Sequence, residues 1–106
     1  MLAGEPYDPS DPDLVAARER ASRLTREYGE TAPGDDTRRA ALLAELFGTV
    51  DVERTTVEPP VYCDYGFNLR APDGLYANVG CVLLDVCPIE FGADVMLGPG
   101  VHVYTA

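Results

Sequence analysis

The sequence contains no lysine: its eight cationic side chains are all arginine, set against 18 Asp and Glu, for a formal net charge of −10. A phosphate backbone or an anionic membrane surface would meet a repulsive field, and no run of basic residues overrides it locally. Neither a nucleic-acid nor a membrane partner is therefore expected. The opening MLAGEPYDPS also lacks the basic and apolar regions of a signal peptide, and no apolar run approaches the roughly 18 residues of a membrane helix. Three cysteines, an odd number, in a chain without an export signal point to reduced thiols and a cytoplasmic location. The acidic, arginine-only charge pattern fits either a high-salt cytoplasm or GC-rich codon usage, and neither bears on chemistry.

What is present fits one small domain. With 106 residues, 46% hydrophobic and 25% charged, the chain can build one modest core but not two. Residues 1–52 have helical periodicity. Asp11 is placed to cap a helix with Pro12 at its first position, and Leu14, Ala17, Ala21, Leu24 and Tyr28 recur at spacings of three and four until Gly29. After the turn-rich TAPGDD, Asp36 is expected to cap a second helix, with Ala40, Leu43, Leu46, Phe47 and Val50 as its apolar stripe and Gly48 near its end. Two such helices form a hairpin with one apolar side that must lie on something else.

From Val57 onward the period becomes six. Small or apolar residues recur at Val57, Cys63, Leu69, Leu75 and Cys81 and, after a phase slip around LLDVCP, at Phe91, Leu97 and Val103. Two residues before most of them stands a second apolar residue: Val61, Phe67, Val79, Ile89, Val95 or Val101, with Thr55 and Asp73 as exceptions. A hexad of this kind is a short strand followed by a bend, and three hexads make one coil of a parallel β-helix. On a strict hexad count Cys63 and Cys81 lie one coil apart, so both are expected to face inward and stack as core filler; Cys87, in the slipped segment, is the accessible thiol. His102, the only histidine, precedes an inward Val103 and is expected to point outward. No metal site is expected from two sulfurs without a converging His or Asp.

The stretches MLAGEPY, EPPVYCDYGFN, YANVGCVLLDVCPI and MLGPGVHVYTA, with the two acid-capped helices, resemble the maltose and galactoside O-acetyltransferases of the hexapeptide-repeat superfamily. The resemblance implies a mainly β fold, a left-handed parallel β-helix of fewer than three coils (53–106) behind a helical cap (1–52), assembled as a homotrimer. It implies acetyl transfer from acetyl-CoA, a co-substrate and not a tightly held cofactor, to a hydroxyl of a maltose- or glucose-like sugar. In the family the strand ending in YTA runs into the catalytic histidine, which would fall just past Ala106, and the later coils hold most of the CoA. The chain is thus expected to be an incomplete β-helix, inactive alone, that carries the acceptor half. By motif position Asn78 and Asp64 match acceptor-side residues, and Asp85 lies in the segment carrying another; the galactoside branch has an acid where this chain has Val86. An acidic acceptor contact near the N-terminus falls in register on Pro9, with Asp8 as the substitute.

Read without the resemblance, Asp64 and Asn78 are equally turn or corner residues. Two further functional readings also stand: a split enzyme completed by a second chain, and a non-catalytic β-helix that binds carbohydrate or caps another hexapeptide protein.

Overall fold

The structure, a computed structural model, describes residues 8–105, so the opening MLAGEPY and Ala106 lie outside the described residues. Helix α1 spans Pro12–Gly29; the Asp11 side chain caps it by accepting from the Asp13 amide at 2.8 Å, with proline in the first turn as expected. Ala21, Leu24 and Tyr28 are its buried face.

Helix α2 spans Asp36–Leu46, and its cap is Asp35, not Asp36. Gly34, at φ +87°, turns the chain so that Asp35 takes the non-helical cap conformation and accepts from the Arg38 amide at 3.2 Å. Asp36 then falls in the first turn, where its charge complements the helix dipole. The helix also stops earlier than its apolar stripe suggests. Phe47 is extended, and a Cβ on Gly48 would run into the Phe67 carbonyl, so the chain leaves the helix where the backbones touch. Val50 consequently lies in a strand and not on the helical stripe.

Among the described residues nine short strands follow: β1 (Thr49–Val50), β2 (Thr55–Val57), β3 (Val61–Cys63), β4 (Leu69–Ala71), β5 (Leu75–Ala77), β6 (Cys81–Leu84), β7 (Ile89–Glu90), β8 (Met96–Leu97) and β9 (His102–Tyr104). They form three parallel sheets, ordered β1-β4-β7, β2-β5-β8 and β3-β6-β9, which is the triangular cross-section of a β-helix. β1 pairs with β4, so the solenoid begins within the segment assigned from sequence to the cap.

The coil is longer than three hexads. Val61 pairs with Cys81 and Cys63 with Leu83, a step of 20 residues. The corners Pro72–Gly74 and Asn78–Gly80 take three residues each, whereas 64–68 takes five. Cys63 and Cys81 therefore do not stack; Cys81 is fully buried over Val61, and Cys63 is half-buried. Inward positions in the middle coil are the first and third strand residues: Leu69 and Ala71, Leu75 and Ala77, Cys81 and Leu83. Phe67 and Val79, expected inside, sit in corners at 40% and 44% exposure, because a side chain two residues before such a strand has already left the pleat. Ile89 and Phe91 after the slip are buried as expected.

The helical cap closes the first coil. Leu24, Leu42, Leu43 and Leu46 join Val57, Val61 and Leu69 in one core, and the buried Tyr28 hydroxyl donates to the Val57 carbonyl at 2.6 Å. The cap therefore packs on its own β-helix. No helix among the described residues is long and apolar enough to cross a membrane.

Candidate functional site

The five-residue corner Asp64–Asn68 joins β3 to β4 and turns around a single carboxylate. Asp85, directly after β6, is fully buried; one oxygen accepts from the amides of Asp64 (3.1 Å) and Tyr65 (2.9 Å), the other from the Asn68 amide (3.1 Å). Asn68 closes the arrangement by donating its Nδ2 to the carbonyls of Asp85 (2.9 Å) and Val86 (3.1 Å). Burial pushes the Asp85 carboxyl above the usual range, with the amide donors pulling the other way.

The rest of the corner is held from below. Gly66 has φ +84°, and a Cβ there would meet Leu46 of α2, so the chain needs glycine on both counts. The Tyr65 ring is fully buried, and its hydroxyl accepts from Arg18 of α1 at 3.3 Å. Arg18 also donates to the Pro9 carbonyl, which draws the Asp8–Ser10 segment toward this corner. The Asp64 carboxyl is half-buried; desolvation raises its pKa, and the nearby Arg18 charge opposes the rise.

Asp64 and Asp85 thus meet at one corner, and Arg18 links the segment carrying Asp8 to that corner's Tyr65. Their exposures differ. Asp64 is partly open, whereas Asp85 faces inward with its oxygens committed to the backbone amides of the 64–68 loop. Asp8 is exposed, with one oxygen accepting from the Ser10 amide (3.0 Å) and hydroxyl (2.7 Å), hydrogen bonds that hold its carboxyl below the usual range.

Asn78 lies elsewhere. It precedes β6 and Asp85 follows it, so the two stand at opposite ends of a strand about 13 Å long. Its Oδ1 accepts from the Val79 amide at 2.7 Å, as a corner residue does before Gly80 at φ +78°. His102 is exposed on β9 as expected, with Nδ1 2.7 Å from the Tyr104 hydroxyl. Two open grooves, about 470 Å³ between α2 and the first coil and about 530 Å³ beside Asp73 and Asp94, are lined by none of the expected site residues.

Sequence reasoning missed Arg18 and Asn68 at this corner, and placed Phe67 in the core instead of on the corner's surface. The Asn in DYGFN was visible as part of the motif, but its two hydrogen bonds to Asp85, one from the backbone amide and one from the side chain, depend on the 20-residue coil.

The profile of the maltose acetyltransferase hexapeptide capping motif matches residues 1–51. Nodulation protein L of Rhizobium leguminosarum bv. viciae is 38% identical over 106 residues, covering all of this chain and 55% of that protein. The crystal structure of a maltose O-acetyltransferase from Clostridium difficile 630 superimposes with a TM-score of 0.93 at 41% identity, over 99% of this chain and 56% of its own. The chain matches the N-terminal portion of the maltose and galactoside O-acetyltransferase family. A hexapeptide-repeat acetyltransferase from Vibrio cholerae O1 biovar eltor, solved with acetyl-coenzyme A, superimposes with a TM-score of 0.85 at 35% identity over 96% of this chain and 54% of its own. The chain spans about half the length of the relatives it matches. With these neighbours the three-sheet solenoid is the left-handed parallel β-helix expected from the resemblance.

Proposed function

We propose that this chain carries the acceptor-binding portion of an acetyl-CoA-dependent sugar O-acetyltransferase. The observation that carries the reading is the near-complete superposition on a maltose O-acetyltransferase at 41% identity. Asp64 accepts hydrogen bonds from hydroxyls of a maltose- or glucose-like sugar, Asp85 fixes the loop that presents it, and Asp8 supplies a further acceptor contact. Asn78, at the far end of β6, serves a second acceptor contact, completed by a neighbouring subunit's corner in a homotrimer. Exposed Tyr62, Met96 and Tyr104 on the outer sheet faces support such an assembly. The general base and most of the CoA site belong, in this reading, to the half of the relatives' length that the chain does not span. His102 is not assigned as the base, since its Nδ1 is engaged with Tyr104 on an outer face. The working compartment is the cytoplasm, where acetyl-CoA is available.

The test is a thiol-release assay on the product of the native coding sequence, with acetyl-CoA and a panel of glucosides, maltose and galactosides. Release of CoA thiol that requires a sugar supports the reading. Absence of sugar-dependent release from a folded product with every acceptor overturns it.

A further inference from the structure

Phe67 is 40% exposed at the Asp64–Asn68 corner, and what surrounds it is fixed. Its ring lies on that of Tyr65, with centroids 5.1 Å apart and planes 13° from parallel. Tyr65 is fully buried, with its hydroxyl on Arg18 and its amide on Asp85. Gly66 is seated on Leu46, the Phe67 carbonyl lies against Gly48, and Asn68 is clamped to Asp85. An exposed corner ordinarily carries a small or polar residue, because an apolar ring left in water forfeits the gain of burial. Here a large ring is held half out of water on a loop whose backbone has been immobilised at several points. One face of that ring is braced by Tyr65, and two-fifths of the residue stays exposed to solvent.

We propose that Phe67 is the stacking platform for the apolar face of a pyranose ring, with the Asp64 carboxylate accepting from hydroxyls on the same ring's rim. The assignment rests on the acceptor reading of this corner and adds to it the residue that orients the sugar. A pyranose presents C–H groups on its faces and hydroxyls around its edge, so it needs a flat apolar surface next to a hydrogen-bond acceptor. The corner supplies both within four residues: Asp64, partly open and with Arg18 nearby, and Phe67. The brace on Tyr65 means that little side-chain freedom is lost when the sugar docks.

The experiment is a titration of the isotope-labelled full chain with methyl α-glucoside and with maltose, followed by chemical-shift changes and by saturation transfer to the sugar protons. Phe67→Ala should weaken binding about tenfold, Phe67→Leu less, and Phe67→Tyr should leave it unchanged, with the melting temperature preserved in all three. Saturation transfer should be strongest at the ring C–H protons. Wild-type affinity in Phe67→Ala, together with weakened binding in Asp64→Asn, would overturn the platform while leaving the acceptor reading intact. An altered oligomeric state in Phe67→Ala at constant sugar affinity would also overturn it, by making Phe67 an interface residue. If the wild-type chain binds neither sugar, the platform and the acceptor reading fall together.

Discussion

Asp85 and Asn68 hold each other from both ends: the Asn68 amide donates to the Asp85 carboxylate at 3.1 Å, and the Asn68 side chain donates back to the Asp85 carbonyl at 2.9 Å. Between them they set the shape of the 64–68 corner. Replacing Asp85 with alanine would leave the amides of Asp64, Tyr65 and Asn68 without an acceptor, the first and last partly buried and the second wholly so. We expect Asp85→Ala to cost about 3–5 kcal/mol and Asp85→Asn, which keeps the shape and one acceptor oxygen, about 1–2 kcal/mol. Urea denaturation of the two variants beside the wild type reads both values. Losses below about 0.5 kcal/mol in both would mean that the loop finds another support.

The raised carboxyl pKa of Asp85 has a consequence for pH dependence. With its folded pKa above the unfolded one, the native chain keeps a proton that the unfolded chain releases over the pH interval between the two values. The stability that this provides is complete below the unfolded carboxylate pKa and is lost as pH rises through the folded value. Comparison with Asp85→Asn cancels the titration of the other acids. The wild-type advantage over the variant should therefore be largest in acid and shrink as pH rises. An advantage that grows with pH would show the amide donors outweighing burial.

The helices and the solenoid were legible in the sequence because each depends on local signals. Asp11-Pro12 marks a helix start, and Leu69, Leu75 and Cys81 lie six apart, since each strand and its corner together take six residues there. The pairing of coils was not legible. One corner holds five residues, which moves Cys63 over Leu83 and leaves Cys81 over Val61, and a hexad count has no way to register a corner that bulges. The candidate site suffered for the same reason. Asp85 was visible as an acid beside a slipped segment, but its partners at 64–68 are one 20-residue coil away, and only the register brings them together. Arg18 was less visible still, because its contact with Tyr65 joins the cap to the solenoid across 47 residues.

Two glycines separate backbone demand from repeat pattern. Gly66 has positive φ and no room for a Cβ beside Leu46, whereas Gly92 has open space around it. We expect Gly66→Ala to cost about 2–4 kcal/mol, from the left-handed conformation and the displaced Leu46, and Gly92→Ala to stay within about 0.5 kcal/mol. Equal effects in chemical denaturation would show the hexad pattern, and not the contact, to set the requirement.

The thiols should differ in reactivity. Burial, with Asp85 and Asp64 adding negative charge, pushes the Cys63 thiol up to about 12. Cys63 is therefore protonated at pH 8, and Cys81 is sealed in the core. Alkylation of the native protein at pH 8, mapped by peptide mass, should modify Cys87 first and leave Cys63 and Cys81 intact until denaturant is added. Rapid modification of Cys63 would mean that the corner opens in solution.

Tyr28 joins the helical cap to the β-helix through one buried hydrogen bond, its hydroxyl donating to the Val57 carbonyl at 2.6 Å beneath the Arg39 guanidinium. Burial raises its pKa to about 12, so the hydroxyl keeps its proton well above neutral pH. Tyr28→Phe preserves the ring in the core and removes only the donor, leaving a carbonyl beside β2 with one partner fewer. The expected loss is about 1–2 kcal/mol, without change in the secondary structure seen by circular dichroism. Because the bond spans the two parts of the fold, its removal should also speed amide exchange in α1 more than in β5 or β6. Exchange that accelerates equally everywhere would mean that cap and coils open together, and that Tyr28 supports the whole core, not the junction.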